Sequence, residues 1–430
     1  MISGARLQAA IELLERIAGA GAPADRLVGG YFRGRRYAGS KDRRWVTEMV
    51  YDVLRRQGEY AWRAGGTEGR RLALAHLMAG EDADADAVAA LFSGGQYCPA
   101  NLDTDEQAVL ARLSQAAAGE APAWATGNYP EWLHPALLRR FGPELPAEMA
   151  AMGGRAGVDL RVNALKSDRA EVAATLARED IATTPGAFAP TALRLDGRRS
   201  LAGHALYRNG SIEIQDEGSQ LVALLCAAQP GQQVVDYCAG AGGKSLALAA
   251  LMANKGRIFA FDSQPRRMRP LRERLQRAGA RNLQLHALAD PAAATVLAEL
   301  AGKADRVLLD VPCTGSGAWR RNPEAKWRLT AEQLAEFGET QDQILRRAAP
   351  LVATGGRLIY ATCSILTEEN EDRIDGFLGE NPAFEVMPIG QVWDQVLDRA
   401  CPCGGPYLRL TPEQHGTDGF FVAVLRRQQT

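Results

Sequence analysis

The sequence lacks a long hydrophobic run, an excess of either charge and a regular cysteine framework. No stretch reaches about 18 consecutive apolar residues, and Arg6, Glu12 and Glu15 interrupt the first helical pattern, so we expect neither a membrane span nor a signal peptide. The formal net charge is -1 and the composition is 46% hydrophobic, which is typical of a soluble globular protein. The seven cysteines are scattered, which argues against disulfides and predicts a reducing, cytoplasmic environment.

Histidines are also few, and this limits the metal sites that the chain could form. Cys401 and Cys403 are a close pair, but a zinc site needs further ligands at suitable spacing. With five histidines in the whole sequence, we expect no metal centre.

The hydrophobic pattern divides the chain into three regions. Residues 1–140 read as alanine-rich helices, with apolar residues such as Leu7, Ile11 and Leu14 at helical spacing. Residues 141–212 combine a linker containing Pro and Gly with a small α+β module. Residues 213–430 alternate strands and helices, the pattern of a parallel sheet with crossover helices. We therefore expect an all-α domain, a small module and an α/β domain.

Two basic runs stand out against the neutral total. Arginines alternate with aromatic residues between Arg33 and Trp45, and further arginines cluster between Arg266 and Arg277. Guanidinium and aromatic groups can hold phosphates and stacked bases, whereas most charged runs are solvated faces. From the sequence alone, both interpretations stand for each run.

A glycine-rich turn follows the predicted strand at residues 233–236 and precedes a predicted helix. The Walker pattern of nucleoside triphosphatases would need a glycine at the position of Cys238, so we discount that class. The G-x-G-x-x-G fingerprint of dinucleotide-binding proteins is also absent, because the residues after Gly242 do not fit it. What remains is Asp236 followed by Gly240 and Gly242. This pattern resembles the loop in which class I methyltransferases hold S-adenosylmethionine.

Three later strands end at or near an acidic residue, namely Asp262, Asp290 and Asp310. In open α/β sheets the carboxyl ends of neighbouring strands border one ligand cleft. Asp262 lies about 20 residues after Gly242, where a carboxylate can accept hydrogen bonds from ribose hydroxyls. The series predicts a single cofactor cleft.

The stretch from Asp310 to Cys313 stands between a short apolar strand and a turn that contains Gly315 and Gly317. A carboxylate and a thiol at this point suggest a nucleophile beside an acid that recognises a base. A capping aspartate and a buried structural cysteine would give the same four residues, and such cysteines are more common.

The cysteine also bears on the type of reaction. Methylation of an exocyclic amine usually employs Pro-Pro and an aromatic residue after the strand-end acid, whereas this chain has Cys313 at the fourth position. Carbon 5 of a cytosine or uracil is a poor nucleophile until a thiolate adds at carbon 6. Cys363 follows another predicted strand and is a second candidate thiol.

Together these segments resemble the RNA (cytosine-5)-methyltransferase family, in particular the Sun or Fmu group that includes ribosomal small-subunit methyltransferase B. The resemblance covers roughly residues 155–430 and rests on residues 215–220, 236–244, 310–317, 321–327, 360–364 and 416–421. Ala241 departs from the group, whose members often carry proline there.

The resemblance implies a role for each candidate residue. Cys363 would be the nucleophile, Cys313 would assist elimination after methyl transfer, Asp310 would contact the cytosine, and Lys244 would lie near it. The residues implied to hold S-adenosylmethionine are Cys238, Ala239, Gly240, Ala241, Gly242, Gly243, Lys244, Asp262, Asp290 and Asp310.

The same resemblance implies the architecture and the substrate. It implies a Rossmann-like class I methyltransferase domain at 213–430, a ferredoxin-like RNA-binding module within 141–212, and a NusB-like, RNA-binding helical domain at 1–140. We expect a monomer that makes 5-methylcytosine in RNA, with small-subunit ribosomal RNA as the partner. A transfer-RNA substrate is an alternative, and so is an RNA-binding assembly factor without catalysis.

Overall fold

The structure is a computed structural model that describes residues 1–80, 83–115, 120–197 and 199–429. The chain forms two compact units. The helical unit comprises Met1–Arg155 together with Trp319–Ala331, and the α/β unit comprises Ala156–Ala318 and the residues from Glu332 onward. In the described ranges, none of the helices combines the length and the hydropathy that a membrane span requires.

The helical unit is built on apolar residues that recur every three or four positions. Leu7, Ile11 and Leu14 in the first helix and Val46 and Val50 in the third are buried in one core. The helices are α1 (Ser3–Gly19), α2 (Ala24–Arg33), α3 (Ser40–Arg55), α4 (Gln57–Ala64), α5 (Gly69–Leu77), α6 (Ala85–Ala90), α7 (Thr104–Leu113), α8 (Ala123–Thr126), α9 (His134–Phe141) and α10 (Leu145–Gly153). The predicted helical character of this region is confirmed.

The α/β unit begins with a small module in which helices pack on an antiparallel sheet. Its elements are β1 (Val158–Val162), α11 (Arg169–Ala177), β2 (Thr183–Pro185), β3 (Ala192–Leu195), α12 (Ala205–Arg208) and β4 (Ile212–Ile214). The strand order is β2-β3-β1-β4. Leu160 and Leu193 from the sheet and Val172 and Leu176 from α11 form its core. The predicted α+β character of the module is confirmed.

The rest of the chain alternates strands and helices around a larger sheet. The elements are α13 (Glu217–Leu225), β5 (Gln233–Asp236), α14 (Gly243–Leu251), β6 (Arg257–Asp262), α15 (Pro265–Ala278), β7 (Leu283–Ala287), α16 (Pro291–Leu300), β8 (Ala304–Asp310), α18 (Ala331–Ala348), β9 (Val352–Thr362), α19 (Glu371–Glu380), β10 (Phe384–Val386), α20 (Ile389–Trp393), β11 (Leu408–Leu410), α21 (Pro412–His415) and β12 (Phe420–Arg427). The short helix α17 (Ala325–Arg328) falls between β8 and α18 in sequence but belongs to the helical unit. The strand order is β10-β12-β9-β8-β5-β6-β7, and β11 pairs with β12.

The centre of this sheet is parallel and contains the point where the strand order reverses. β5 pairs in parallel with β6 on one side and with β8 on the other, and β8 pairs in parallel with β9. Asp236 lies opposite Leu308, and Asp310 lies opposite Ala361. The loops after β5, β8 and β9 therefore begin at one edge of the sheet, where open α/β sheets bind ligands.

Residues 319–331 interrupt the α/β unit in sequence and belong to the helical unit. Trp327 donates its indole N–H to the carbonyl of Leu54 at 2.7 Å, and Lys326 donates to the carbonyl of Arg55 at 3.3 Å. These carbonyls lie in the last turn of α3, where no further helical N–H is available to them. The segment thus satisfies the carboxyl end of α3.

The same segment satisfies two other helix ends. Arg328 donates to the carbonyls of Ala20 and Ala22, at 2.9 and 2.8 Å, just beyond α1. Glu324 accepts a hydrogen bond at 3.0 Å from the backbone N–H of Ala24, the first residue of α2. A cation near a helix carboxyl end and a carboxylate at an amino end both favour the helix dipole. The helical unit is therefore completed by residues that lie far along the chain.

Lys326 should make the stability of the helical unit depend on pH. Burial, together with the positive charge of Arg55, lowers the pKa of Lys326 to about 7. The folded chain therefore holds fewer protons than the unfolded chain between about pH 7 and the ordinary lysine pKa, and stability rises with pH across that range. We expect Lys326→Met to stabilise the protein near neutral pH, and we expect this gain to fall by about 1 kcal/mol per pH unit toward about pH 10.

Urea unfolding followed by circular dichroism at several pH values measures this trend. Lys41→Met, at an exposed position of α3, is the matched control and should show no such slope. A constant difference between the natural chain and Lys326→Met at all pH values would contradict the assignment of a neutral buried amine.

Candidate active site

An ion pair joins the start of α14 to the end of β8. Lys244, in the first turn of α14, donates to the Asp310 carboxylate at 2.7 Å, and its side chain is 10% exposed. Burial by itself would lower the pKa of Lys244, but the adjacent Asp310 charge and this hydrogen bond outweigh it, so the pKa is raised. Lys244 is therefore a cation, fixed beside the carboxylate that ends β8.

The two candidate thiols face each other at the ends of β8 and β9. The sulfurs of Cys313 and Cys363 are 3.5 Å apart, at hydrogen-bond distance. The hydrogen bond with Cys363 and burial both raise the pKa of Cys313 well above its ordinary range. Cys313 therefore keeps its proton, and its S–H can be directed at the sulfur of Cys363.

A buried carboxylate holds the Cys313 loop in place. Glu369 accepts hydrogen bonds from the backbone N–H and the hydroxyl of Thr314, at 2.8 and 2.6 Å. Gln341 donates both to Glu369 and to the carbonyl of Pro312, each at 3.0 Å. Burial raises the pKa of Glu369 above its ordinary value, although the hydrogen bonds that the carboxylate accepts oppose this. Glu369 was not recognised as a site residue from the sequence, because Thr314 and Gln341 lie 55 and 28 positions away.

Direct contacts join the two thiol loops. The hydroxyls of Ser316 and Ser364 are 2.9 Å apart, and the N–H of Gly317 donates to the carbonyl of Cys363 at 2.9 Å. Gly419 donates in turn to the carbonyl of Gly317 at 2.8 Å. A Cβ on Gly317 would lie 2.2 Å from the Gly419 carbonyl oxygen, so this position requires glycine. The segment at 416–421 is thus part of the site.

The predicted cofactor loop has the conformation that its glycines suggest. Gly242 has a φ of +80°, and a Cβ there would lie 2.0 Å from Leu271. The Gly240 N–H donates to Asp262 at 2.9 Å, and the Gln264 N–H donates to the other oxygen of the same carboxylate at 2.7 Å. Asp262 therefore fixes the loop to the end of β6.

The other predicted cofactor residues occupy the loop and the neighbouring strand ends. Cys238, Ala239, Ala241 and Gly243 continue from β5 to the start of α14, and burial raises the pKa of Cys238. Asp290 follows β7 and is exposed, and it caps α16 by accepting a hydrogen bond from Ala292 at 3.0 Å. Carboxylates at the ends of β6, β7 and β8 suit a ligand with several hydroxyl and amino donors, as S-adenosylmethionine has.

Arg161 reaches the cofactor loop from the small module and was not recognised in the sequence. It lies on β1, is buried, and donates to the side chain of Gln215 at 2.5 Å and to the carbonyl of Gly243. Burial lowers its pKa to about 10. A side chain that is 82 positions away in sequence from the loop thus orients one of its carbonyls.

The second basic run is mainly structural at its carboxyl end. Arg274 and Arg277 pair with buried Glu213 at 2.9 and 2.6 Å, and Arg274 also donates to the carbonyl of Ala241 at 2.6 Å. These two arginines connect α15 with β4 and with the cofactor loop. Arg266, Arg269 and Arg272, by contrast, are exposed on α15.

Two family matches together cover most of the α/β unit, and the first of them in sequence begins within the helical unit. The family described as 16S rRNA methyltransferase RsmB/F matches residues 223–426, and the ferredoxin-like domain of RsmF/B-like methyltransferases matches residues 129–202. The predicted combination of a class I methyltransferase domain with a ferredoxin-like module is confirmed.

Individual relatives agree with the family match. Probable ribosomal RNA small subunit methyltransferase B of Synechocystis is 34% identical over 307 residues, which are 70% of this chain and 67% of the relative. The protein of the same description from Bacillus subtilis is 34% identical over 309 residues, with the same coverage. The crystal structure of PH0851 is similar over 99% of both chains, with a TM-score of 0.78 and 26% identity. The chain therefore belongs to the RsmB/F family of methyltransferases, and its cofactor is S-adenosylmethionine.

Proposed function

We propose that this enzyme methylates carbon 5 of a cytosine in small-subunit ribosomal RNA, through a covalent bond between Cys363 and carbon 6. The observation that carries the proposal is the 3.5 Å separation of the Cys313 and Cys363 sulfurs at the ends of adjacent strands. The relatives named as small-subunit ribosomal RNA methyltransferases support the choice of RNA.

The first step needs a thiolate and a positive charge close to the base. The Cys363 sulfur adds to carbon 6, and the ring electrons that this displaces make carbon 5 nucleophilic. Lys244 and Asp310 lie at the edge of the sheet where the ring would sit, so Asp310 can accept from the cytosine amino group while Lys244 offsets the charge that develops. S-adenosylmethionine supplies the electrophilic methyl group when it is bound.

The second step must remove a proton from carbon 5 and break the bond to Cys363. The electrons of the C–H bond restore the double bond between carbons 5 and 6, and the Cys363 sulfur leaves. Cys313 is suited to this step because it can give its S–H to the departing sulfur and take the carbon 5 proton in exchange. Its raised pKa keeps a proton on it between turnovers.

The cofactor site is proposed to depend on Arg161. The carbonyls of the loop residues Ala241 and Gly243 both accept from arginines, Arg274 and Arg161 respectively, so the peptide planes of the loop are oriented from outside. A loop held in this way keeps its N–H groups directed at a ligand before the ligand binds. We therefore assign Arg161 a positioning role for S-adenosylmethionine.

RNA binding is proposed to involve the helical unit, whose expected NusB-like character is part of the proposal. In the first basic run, Arg35 pairs with Glu12 and stacks on Tyr31 at 3.7 Å, so this arginine is structural. Its neighbours on the surface are cations that make no ion pair with any described residue, namely Arg33, Arg36, Lys41 and Arg44. Unpaired exposed cations at this density suit a phosphate backbone.

The two cysteines should give opposite phenotypes when they are removed. Cys363→Ser should lower methyl transfer by at least about 1,000-fold, because a hydroxyl is a far weaker nucleophile at neutral pH. Cys313→Ala should also be slow but should accumulate a covalent complex with RNA, since release of the product is impaired. Transfer of labelled methyl groups to small-subunit RNA and a denaturing gel measure the two effects.

Cys401→Ser is the matched control for these variants, because Cys401 lies in the segment between α20 and β11, away from the two thiol loops in sequence. It should keep full activity and form no adduct. Bisulfite sequencing of the product identifies carbon 5 as the methylated position. Full activity of Cys363→Ser, or a modified base other than 5-methylcytosine, would exclude the proposed chemistry.

Arg161→Lys should weaken S-adenosylmethionine binding while the RNA affinity is retained. Lysine keeps the charge but cannot donate to Gln215 and Gly243 in the same geometry, so we expect the dissociation constant of the cofactor to rise about 5–20-fold. Isothermal titration calorimetry measures it, with Arg178→Lys, at the exposed position just after α11, as the control. An unchanged cofactor affinity, or an equal loss of RNA affinity, would argue against a positioning role.

A further inference from the structure

The helical unit contains a cleft of about 510 Å³ that the proposed chemistry does not use. Helix α3 contributes Trp45, Glu48 and Asp52 to its lining, α4 contributes Tyr60 and α5 contributes His76. We call this cavity the α3 cleft. Its volume lies in the range of sites that bind small molecules or single nucleotide units.

The back wall of the α3 cleft is fixed by its own hydrogen bonds. His76 Nδ1 lies 3.4 Å from the Asp52 carboxylate and 3.4 Å from the Tyr60 hydroxyl, and the Tyr60 and His76 rings meet edge to face. Contact with His76 lowers the pKa of Asp52. The polar groups of this wall thus have partners, so the wall gives the cleft its shape.

The groups at the mouth of the cleft have no such partners. The side chains of Trp45, Glu48 and Arg155 make no hydrogen bond or ion pair with the residues that the structure describes. Trp45 and Glu48 are three positions apart on α3 and are therefore neighbours on its surface. An indole ring and an unpaired carboxylate side by side provide a stacking surface and a hydrogen-bond acceptor.

Two of the unpaired cations lie on the same helix. Lys41 and Arg44 occupy the first two turns of α3 and are exposed, and Arg44 is four positions before Glu48. Although this spacing permits an ion pair, Arg44 and Glu48 form none in the structure, so both charges stay available to a ligand. A ligand that carries a phosphate next to a ring with N–H donors could pair its phosphate with Arg44 and donate hydrogen bonds to Glu48 at the same time.

We propose that the α3 cleft binds a guanine base of single-stranded RNA, with Trp45 against the face of the base and Glu48 accepting from its N1 and amino hydrogens. Lys41 and Arg44 hold the adjoining phosphates. The inference deepens the proposed function, since it rests on an RNA substrate, and it assigns to the helical unit a site that recognises a base as well as the backbone.

Guanine is favoured over the other bases by the chemistry of the carboxylate. Guanine presents two adjacent N–H donors, which a carboxylate can accept together. Adenine and cytosine place an acceptor nitrogen beside their amino group, and uracil flanks its N–H with two carbonyls, so each of these would set an acceptor against Glu48. Stacking on Trp45 adds affinity for any base without distinguishing among them.

Binding of short RNAs to the 430-residue chain without cofactor tests the proposal. The probes are fluorescent uridine oligomers with one central guanosine or one central adenosine, measured by anisotropy at fixed salt. We expect the guanosine oligomer to bind about tenfold more tightly. In Glu48→Gln, the ratio of the affinities for the guanosine and adenosine oligomers should fall to about one. The double variant Lys41→Ala, Arg44→Ala should weaken the binding of both oligomers equally and should reduce the dependence of binding on salt concentration.

The controls separate recognition of the base from folding and from other ligands. Glu131 is exposed elsewhere in the helical unit, and Glu131→Gln should keep the preference for guanosine. Trp45→Phe keeps an aromatic ring against the helical core and should weaken the binding of both oligomers. Guanosine monophosphate alone should bind much more weakly than the oligomer, and equal affinity would indicate a site for free nucleotides and overturn the proposal.

Two results test the proposed guanine site independently of the proposed methylation chemistry. No guanosine preference in the natural chain, or a preference that survives Glu48→Gln, would overturn it even if the enzyme makes 5-methylcytosine. A guanosine preference lost in Glu48→Gln would support the α3 cleft even if the methylated position proved to be another one.

Discussion

The parallel pairing of β8 with β9 is the constraint on which the candidate active site depends. In this register Asp310 lies opposite Ala361, so the loops that follow the two strands begin at the same edge of the sheet. Cys313 and Cys363 come soon after these residues, and their sulfurs lie 3.5 Å apart as a consequence. Strand register in a buried sheet is strongly specified, because a slip of one residue would turn every side chain to the opposite face. The spacing of the two thiols thus derives from backbone pairing in the core.

Backbone pairing ends at the strand termini, and beyond them hydrogen bonds between buried polar groups hold the two thiol loops in place. Glu369 connects to the Cys313 loop through Thr314, and the Ser316 and Ser364 hydroxyls join that loop to the Cys363 loop. A buried carboxylate is costly unless its oxygens accept hydrogen bonds, so Glu369 is stable only while both loops hold this arrangement. The dependence runs in both directions: the loops orient the carboxylate, and the carboxylate restricts the loops to one geometry. A site that acts on a base by covalent attack needs such fixed distances.

Local sequence patterns were sufficient to predict the strand ends and insufficient to predict the groups that support them. The alternation of apolar strands and glycine turns is visible within ten or so residues, and it located the loops that carry Cys313 and Cys363. Glu369 gives no local signal of its role, because its partner Thr314 is 55 positions away in sequence. Arg161 was missed for the same reason. Two strands of the small module, β2 and β4, have little local signal because each is three residues long, and β2 contains a proline that is tolerated at a sheet edge.

Local sequence patterns also fail to predict the domain boundaries, because the segment at 319–331 belongs to a unit whose other residues are far away in sequence. It stands among strands and helices of the α/β unit in sequence, yet Glu324, Trp327 and Arg328 satisfy helix ends that are 273 to 308 positions away. Helix termini leave backbone groups that need partners, and the apolar core of the helical unit cannot provide them. A fragment that ended at Arg155 would keep the apolar core formed by its helices and lose these caps. Because a chain is synthesised from its amino end, the helical unit can reach its final hydrogen bonding only after residue 328 has been added, when most of the α/β unit already exists.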